Sequence, residues 1–280
     1  MKRYLVLGSQ GQLGQALKKV TPEDVELIRP DRKRSDITNF EQMRNLLVDE
    51  MPDAVINCAA YTAVDKAEDN IQAAIDINAY GAANVAKLCA DLNIPFVHIS
   101  TDYVFDGSFP SIEGSATNPL NVYGYSKLFG EQLVMAVHPT ALIIRTASVY
   151  SEFGNNFLKS LLTRYHNGQR EFDVVCDHFS CPTYAPDLAE SIFAMLEFGV
   201  GGRILHYAGK DYLSWYDFAT RIFWEVDMTV KVNPVSAAQY NSRAVRPAKS
   251  YLETKEFMSP KPVADGIQKT LHILLNKERE

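Results

Sequence analysis

Tyr123 and Lys127 stand four residues apart in the stretch PLNVYGYSKLFGEQL (119–133). On a helix that spacing puts a phenol and an ammonium on one face. Such a pair can give a proton to a carbonyl oxygen while hydride reaches the carbon. The ammonium lowers the phenol's pKa and can hold a cofactor ribose. Tyr125 is two residues from each and points elsewhere. A second pair with the same spacing, Tyr251 and Lys255, shows that spacing alone does not choose. The preceding residues do. PFVHIS (95–100) reads as a buried strand, and Thr101 follows it directly in STDYVFDG. A hydroxyl at that strand end can position the carbonyl oxygen. No such strand end precedes Tyr251, and RPAKSYLETKEF (246–257) reads as a helix. Thr101, Tyr123 and Lys127 are the candidate catalytic set.

A cofactor must meet these residues. GSQGQLG (8–14) follows the apolar run RYLVLG (3–8) and opens a helical pattern. Its glycines at 8, 11 and 14 would let backbone N–H groups and the positive helix end meet a pyrophosphate. The spacing is GxxGxxG, and a tight strand–helix turn would use the same glycines without a ligand. At the end of the second strand stands RPDRKRSDIT (29–38). Asp31 suits the ribose hydroxyls of NAD, whereas Arg32, Lys33 and Arg34 suit the extra phosphate of NADP. The reading leans to NADPH, with NADH tolerated, and places Asp36 and Ile37 near the adenine.

The elements that would position these residues alternate. Strands are expected at 3–8, 25–30, 53–60, 95–100 and 141–149, and helices at 14–20, 40–50, 73–93 and 123–137. That rhythm predicts an α/β fold with a doubly wound parallel sheet, whose ligands sit at the C-terminal strand ends. Val122, Ser126, Phe129 and Leu133 are expected to form the core stripe of the 123–137 helix. Beyond about residue 150 the rhythm loosens. Helices are expected at 155–168, 185–199 and 214–226 (with Ser214 as N-cap), a strand then a turn at 174–183 and a short strand at 203–209, and PKPVADGIQKTLHILLNK (260–277) closes the chain. The expected division is a nucleotide-binding domain over 1–149, with 171–201 returning to it, and a smaller substrate-binding lobe made mostly of 150–170 and 202–280.

The 280 residues, 46% of them hydrophobic, can build a full core. A net charge of −6 and the absence of a long basic run argue against nucleic acid. No apolar run is long enough for a signal peptide or a membrane span, so a cytoplasmic protein without a membrane partner is expected. Cys58, Cys89, Cys176 and Cys181 form no CxxC pair, and His178 between the last two lacks companions for a metal site. They read as buried thiols in a reducing compartment, and no metal is expected. Trp215 and Trp224 read as core packing.

GSQGQLG, NCAAYTAVDKAE, STDYVFDG, PLNVYGYSK, GNNF and RPAKSYLETKEF, in this order, resemble the extended short-chain dehydrogenase/reductases, and within them the dTDP-4-dehydrorhamnose reductase family. The likeness runs over nearly the whole chain. It implies a Rossmann-like fold and NADPH-dependent reduction of the C4 keto group of a dTDP-4-dehydro-6-deoxy sugar, with Thr101, Tyr123 and Lys127 as the catalytic trio. It also implies pyrophosphate contacts from Gly8, Gln10, Gly11, Gln12 and Leu13, and a cofactor-side loop of Ala59, Ala60 and Tyr61. Thr62, Val64, Asp65, Tyr103 and Phe105 would face the active site. Asn155, Asn156 and the Arg246–Pro247 region would approach the sugar nucleotide. The leading substrate is dTDP-4-dehydrorhamnose, giving dTDP-L-rhamnose. Two departures stand out. Ser148, in RTASVY, replaces the family's usual tryptophan and motivates the alternative of another dTDP-keto sugar, as in a dihydrostreptose-type synthase. Ala16 falls near the acidic residue some members use for a magnesium-bridged dimer, leaving a monomer or a homodimer of another kind. A non-catalytic subunit like the regulatory subunit of methionine adenosyltransferase shares the sequence family; the intact trio argues against it.

Overall fold

The computed structural model describes residues 1–108, 110–226, 228–254 and 259–277. Six parallel strands form the central sheet: β1 (Lys2–Leu7), β2 (Val25–Ile28), β3 (Ala54–Asn57), β4 (Phe96–Thr101), β5 (Leu142–Thr146) and β6 (Arg203–His206). Their order is β6-β5-β4-β3-β1-β2. These strands are nearly continuous apolar runs because both faces are covered. Alternate side chains divide between two cores. Tyr4, Val6, Ile56, Val97 and Ile144 meet Leu17, Leu188 and Ile192 on one face. Leu5, Leu7, Val55, Phe96 and Ile143 meet Leu47, Val85 and Val134 on the other.

The order reverses between the adjacent strands β1 and β3, and the connections leave the C-terminal edge there. That edge carries the glycine turn after β1 and Thr101 at the end of β4. α1 (Gln12–Lys19) starts directly behind the turn, and the helix Val122–Val137 packs beside β4. Between them the helical run 71–91 contains a π-helical segment, Asp76–Gly81.

Past β5 several expectations change. The strand expected over 141–149 ends at Thr146, because Ser148 takes a left-handed backbone, φ +44°. Val149–Tyr150 then pairs with Thr183–Tyr184. Glu171–Val175 does not return to the main sheet; it pairs with Lys231–Val235. β6, expected in the smaller lobe, instead lies beside β5, reached through the helix Ala185–Glu197, which packs on α1. A separate apolar core joins Leu158, Leu161, Phe172, Phe218, Ile222, Phe223 and Ile267 from the helices Phe157–His166, Trp215–Glu225 and Val263–Lys277 and the strand Glu171–Val175. Ser214 caps the second of these helices in a capping box with Asp217.

Residues 246–254 are not helical. They run extended, bridging Phe179 at Lys249 and Ser111 at Leu252. Lys255, the second half of the alternative pair, lies outside the described residues. Trp215 packs on Phe157, but Trp224 is 77% exposed rather than in the core. Cys89 and Cys181 are buried, Cys58 and Cys176 half-buried, and all four are free. Among the described residues no helix is long and apolar enough to cross a membrane.

Candidate active site

A cleft of about 740 Å³ runs from the glycine turn to the end of β4. At one end Gly8 adopts φ +70°, and a Cβ there would lie 2.7 Å from Ala59 N. Only glycine allows this approach. Ser9 Oγ donates to Pro30 O at 2.9 Å and Arg29 donates to Ser9 O at 2.8 Å, tying the turn to the end of β2. Gly11 is the N-cap of α1 with no side-chain cap, and the first turn of the helix carries no acidic residue. Its N–H groups therefore face the cleft with the positive end of the helix, an arrangement that fits a pyrophosphate.

Gly8, Gln10, Gly11, Gln12 and Leu13 all line the cleft. Gln12 also donates to Val149 O at 2.9 Å and accepts from Asn156 at 2.6 Å. Arg32, Asp36 and Ile37 line the cleft beside the turn. Asp31 does not. It is exposed, and its carboxylate accepts from Arg34 N–H at 3.0 Å. Of the two signals that Asp31 and the basic residues after it carry, the cationic one reaches the cleft, through Arg32. Ala59 and Ala60 line the cleft, whereas Tyr61 is held by backbone bonds to Asn78.

At the other end Thr101 and Tyr123 come together. The catalytic helix approaches closely because residue 124 is glycine: a Cβ there would lie 2.2 Å from Tyr103 O. Asn121 caps the helix, accepting from Gly124 N–H at 2.7 Å. Thr101 and Tyr123 both line the cleft. Burial pushes the Tyr123 phenol up to about 12, reinforced by Asp102, while the nearby Thr101 hydroxyl pulls the other way. Tyr123 is therefore a proton donor at neutral pH, the form that carbonyl reduction requires. Asp102, buried beneath, is pushed up to about 6 by burial and accepts from Thr101 at 3.0 Å and from Ser250.

Lys127 lines the cleft but differs from expectation. Its Nζ donates to Ile99 O at 2.6 Å and lies 3.2 Å from His98 Nε2. Burial pushes it down to about 8. The expected depression of the tyrosine's pKa by the lysine does not occur in this arrangement, because Lys127 is bonded to β4. The core stripe also shifts. Ser126 is buried, but Val122, Phe129 and Leu133 are half-buried; Gly124, Lys127, Gly130, Glu131 and Val134 face the interior. Glu131 makes this possible by accepting two bonds from Arg145, at 2.9 and 2.6 Å, and one from Ser100 at 2.5 Å.

The sugar-side expectations divide. Tyr103 stands edge-on to Tyr123, ring centroids 5.8 Å apart. Arg246 is held by Asp65 through two bonds of 3.0 and 2.6 Å. Thr62, Ser148 and Asn155 line the cleft. Ser148 Oγ is 2.7 Å from Ser180 Oγ. Phe105 does not face the site. It is buried between Arg145 and His206, in an apolar cluster with Val104, Cys181 and Leu252. Asn156 is occupied internally: it caps the helix Phe157–His166 and donates to Gln12. Val64 begins a one-turn helix and is not among the residues that line the cleft.

Sequence reading missed Asn57, Asn78, His98 and Thr146. Asn78, in the π-helical segment, bonds Tyr61 on both sides and donates to Ser126 at 2.9 Å, tying the cofactor-side loop to the catalytic helix. Thr146 lies beside Thr101 across β4 and β5 and lines the cleft with a buried hydroxyl that has no partner. A polar residue inside an otherwise apolar strand was the available signal. Among the described residues no cluster of His, Cys, Asp and Glu could hold a metal.

The doubly wound sheet, the phosphate turn and a tyrosine–threonine hydroxyl pair at the C-terminal edge define a nicotinamide-dependent carbonyl reductase of the short-chain dehydrogenase/reductase type. The chain belongs to the family described as RmlD substrate binding domain, which matches residues 1–271. It is 37% identical over 262 residues to the dTDP-4-dehydrorhamnose reductase of Sinorhizobium fredii, covering 89% of this chain and 88% of that protein. It is also 37% identical over 227 residues to the dTDP-4-keto-6-deoxy-D-glucose reductase of Streptomyces niveus, covering 79% and 77%. The crystal structure of the Bacillus anthracis dTDP-4-dehydrorhamnose reductase in complex with NADP superposes with a TM-score of 0.93, at 35% identity, covering 98% of this chain and all of that one.

Proposed function

We propose that this protein reduces the C4 keto group of dTDP-4-dehydrorhamnose with NADPH, giving dTDP-L-rhamnose. The observation that carries the reading is that Thr101 and Tyr123 together line the end of a cleft that begins at the α1 turn. NADPH would be held by Gly8, Gln10, Gly11, Gln12 and Leu13 at its pyrophosphate and by Arg32 near its extra phosphate, and when bound it supplies the hydride. Tyr123 donates its phenolic proton to the carbonyl oxygen, which becomes the product hydroxyl. Thr101 orients that oxygen. Lys127 binds the ribose hydroxyls and, as the ammonium, stabilises the tyrosinate left behind.

Residues 1–149, together with the helix Ala185–Glu197 and β6, act as the cofactor domain, and the core around Phe218 underlies the substrate lobe. The enzyme works in the cytoplasm as a monomer or homodimer. Ser148 supports a second reading with the same chemistry, in which another dTDP-4-keto sugar is the substrate. A non-catalytic binding subunit has less support, because it has no use for the paired hydroxyls. Purified protein with NADPH should consume dTDP-4-dehydrorhamnose faster than dTDP-4-keto-6-deoxy-glucose, and faster than with NADH. Consumption of the second sugar alone would favour the second reading; NADPH loss with neither would reject both.

A further inference from the structure

His98 lies on β4, fully buried, directly behind Lys127. Its two ring nitrogens have one neighbour each: Asn57 Nδ2 stands 3.2 Å from Nδ1, and Lys127 Nζ stands 3.2 Å from Nε2. The hydrogens of this chain can be counted. The Ala59 backbone N–H donates to Asn57 Oδ1 at 3.1 Å, and a backbone N–H can only donate. The Asn57 amide is therefore fixed with its NH₂ towards His98, and it donates to Nδ1. Nδ1 must then carry a lone pair, and the neutral ring carries its hydrogen on Nε2. That N–H points at Lys127 Nζ. An ammonium has no lone pair to receive it, whereas a neutral amine does, and the amine can still donate to Ile99 O.

We propose that His98 is a positioning residue for the reductase reaction: held by Asn57 as the Nε2–H tautomer, it holds Lys127 on β4 when the lysine is the neutral amine and releases it towards Tyr123 when Lys127 takes up a proton. The inference rests on the functional reading above only in assigning the proton-bearing lysine to catalysis. The other titratable groups around Lys127 do not offer it a competing acceptor. Glu131, one turn on along the same helix, is committed to Arg145 and Ser100. The Cys58 thiol, beyond β3, is pushed up to about 12 by burial and stays neutral. Tyr123, on the same helix, is pushed up to about 12 by burial and stays a neutral phenol. The burial that brings Lys127 down to about 8 puts the exchange within reach of physiological pH. Because Ala59 also lines the cleft, the chain Ala59–Asn57–His98–Lys127 links the cofactor-side loop to the protonation of the lysine.

The tautomer is read directly by ¹⁵N NMR of histidine-labelled protein, with the His98 signal assigned from the His98→Asn variant, or by its contacts to Asn57 if that variant does not fold. A ring protonated at Nε2 and bare at Nδ1 is expected; a ring protonated at Nδ1 overturns the proposal. Calorimetric titration with NADPH in two buffers of different ionisation enthalpy, near about pH 8.5, should show wild-type protein taking up roughly half a proton as the ammonium forms. His98→Asn keeps a group for Asn57 but does not reach Lys127, and His98→Gln offers it a carbonyl. Both should cut the uptake at least by about half and move the alkaline limb of kcat/KM for NADPH up by about one pH unit. Unchanged uptake and an unchanged limb in folded variants would reject the role of His98. Failure of the functional reading looks different: wild-type protein would bind NADPH and take up the proton but leave the sugar untouched.

Discussion

Beneath Thr101 the buried side chains are Asn57, His98, Ser100, Lys127, Glu131 and Arg145. In the core between the helices Phe157–His166, Trp215–Glu225 and Val263–Lys277 they are Leu158, Leu161, Phe218, Ile222, Phe223 and Ile267. The first region holds charges and amides whose partners must all be present, since an unmatched buried group costs several kcal/mol. The second gains stability from area alone and tolerates imprecision. The reacting groups therefore rest on the part of the molecule least able to contribute stability, and the apolar cores carry the fold.

Substitutions in the two regions should separate these roles. Phe218→Ala should cost the largest amount, about 3–5 kcal/mol by urea unfolding, while each folded molecule still binds NADPH normally. A loss of NADPH affinity to match would show that the two regions are not independent. Glu131→Gln should cost about 2–4 kcal/mol, because Arg145 keeps its place but loses its counter-charge, and it should disturb turnover as well. Lys127→Met should go the other way. The folded pKa of Lys127 lies at about 8, below that of a free lysine, so between the two values the unfolded chain binds more protons and stability rises with pH. Below about 8 the buried ammonium costs stability, and the methionine variant should gain on the order of 1–3 kcal/mol at pH 7, a gain that fades towards pH 10, with activity lost. Asp65→Asn should matter least. Its carboxyl is held below the usual range chiefly by the hydrogen bond from Arg246, but the side chain is 47% exposed. The cost should stay below about 1 kcal/mol and vanish as the pH falls through the ordinary carboxylate range.

The same contrast explains what was legible in the sequence. Strands of the parallel sheet announce themselves as apolar runs, and the glycine turn and the helix caps follow local rules. Thr101 and Tyr123 were found because a strand end and a helical spacing converge on them. The direction of Lys127 was not, since it depends on His98 and Asn57, which arrive from two other strands. Phe105 was placed at the site by the family resemblance, yet the 3₁₀ turn Asp102–Val104 sends it into the interior. β5 ends earlier than expected because Ser148 adopts a left-handed backbone, which no propensity of serine foretells. Residues 246–254 looked helical by composition, but their backbone bonds are made to Phe179 and Ser111.

The central claim is that Tyr123 supplies the proton in an NADPH-dependent ketone reduction. Tyr123→Phe should be compared with wild type in two measurements on one preparation: NADPH affinity by fluorescence, and turnover of dTDP-4-dehydrorhamnose. Affinity should stay within a few-fold while kcat falls by about 10²–10⁴. A phenylalanine variant that turned over at the wild-type rate would contradict the account.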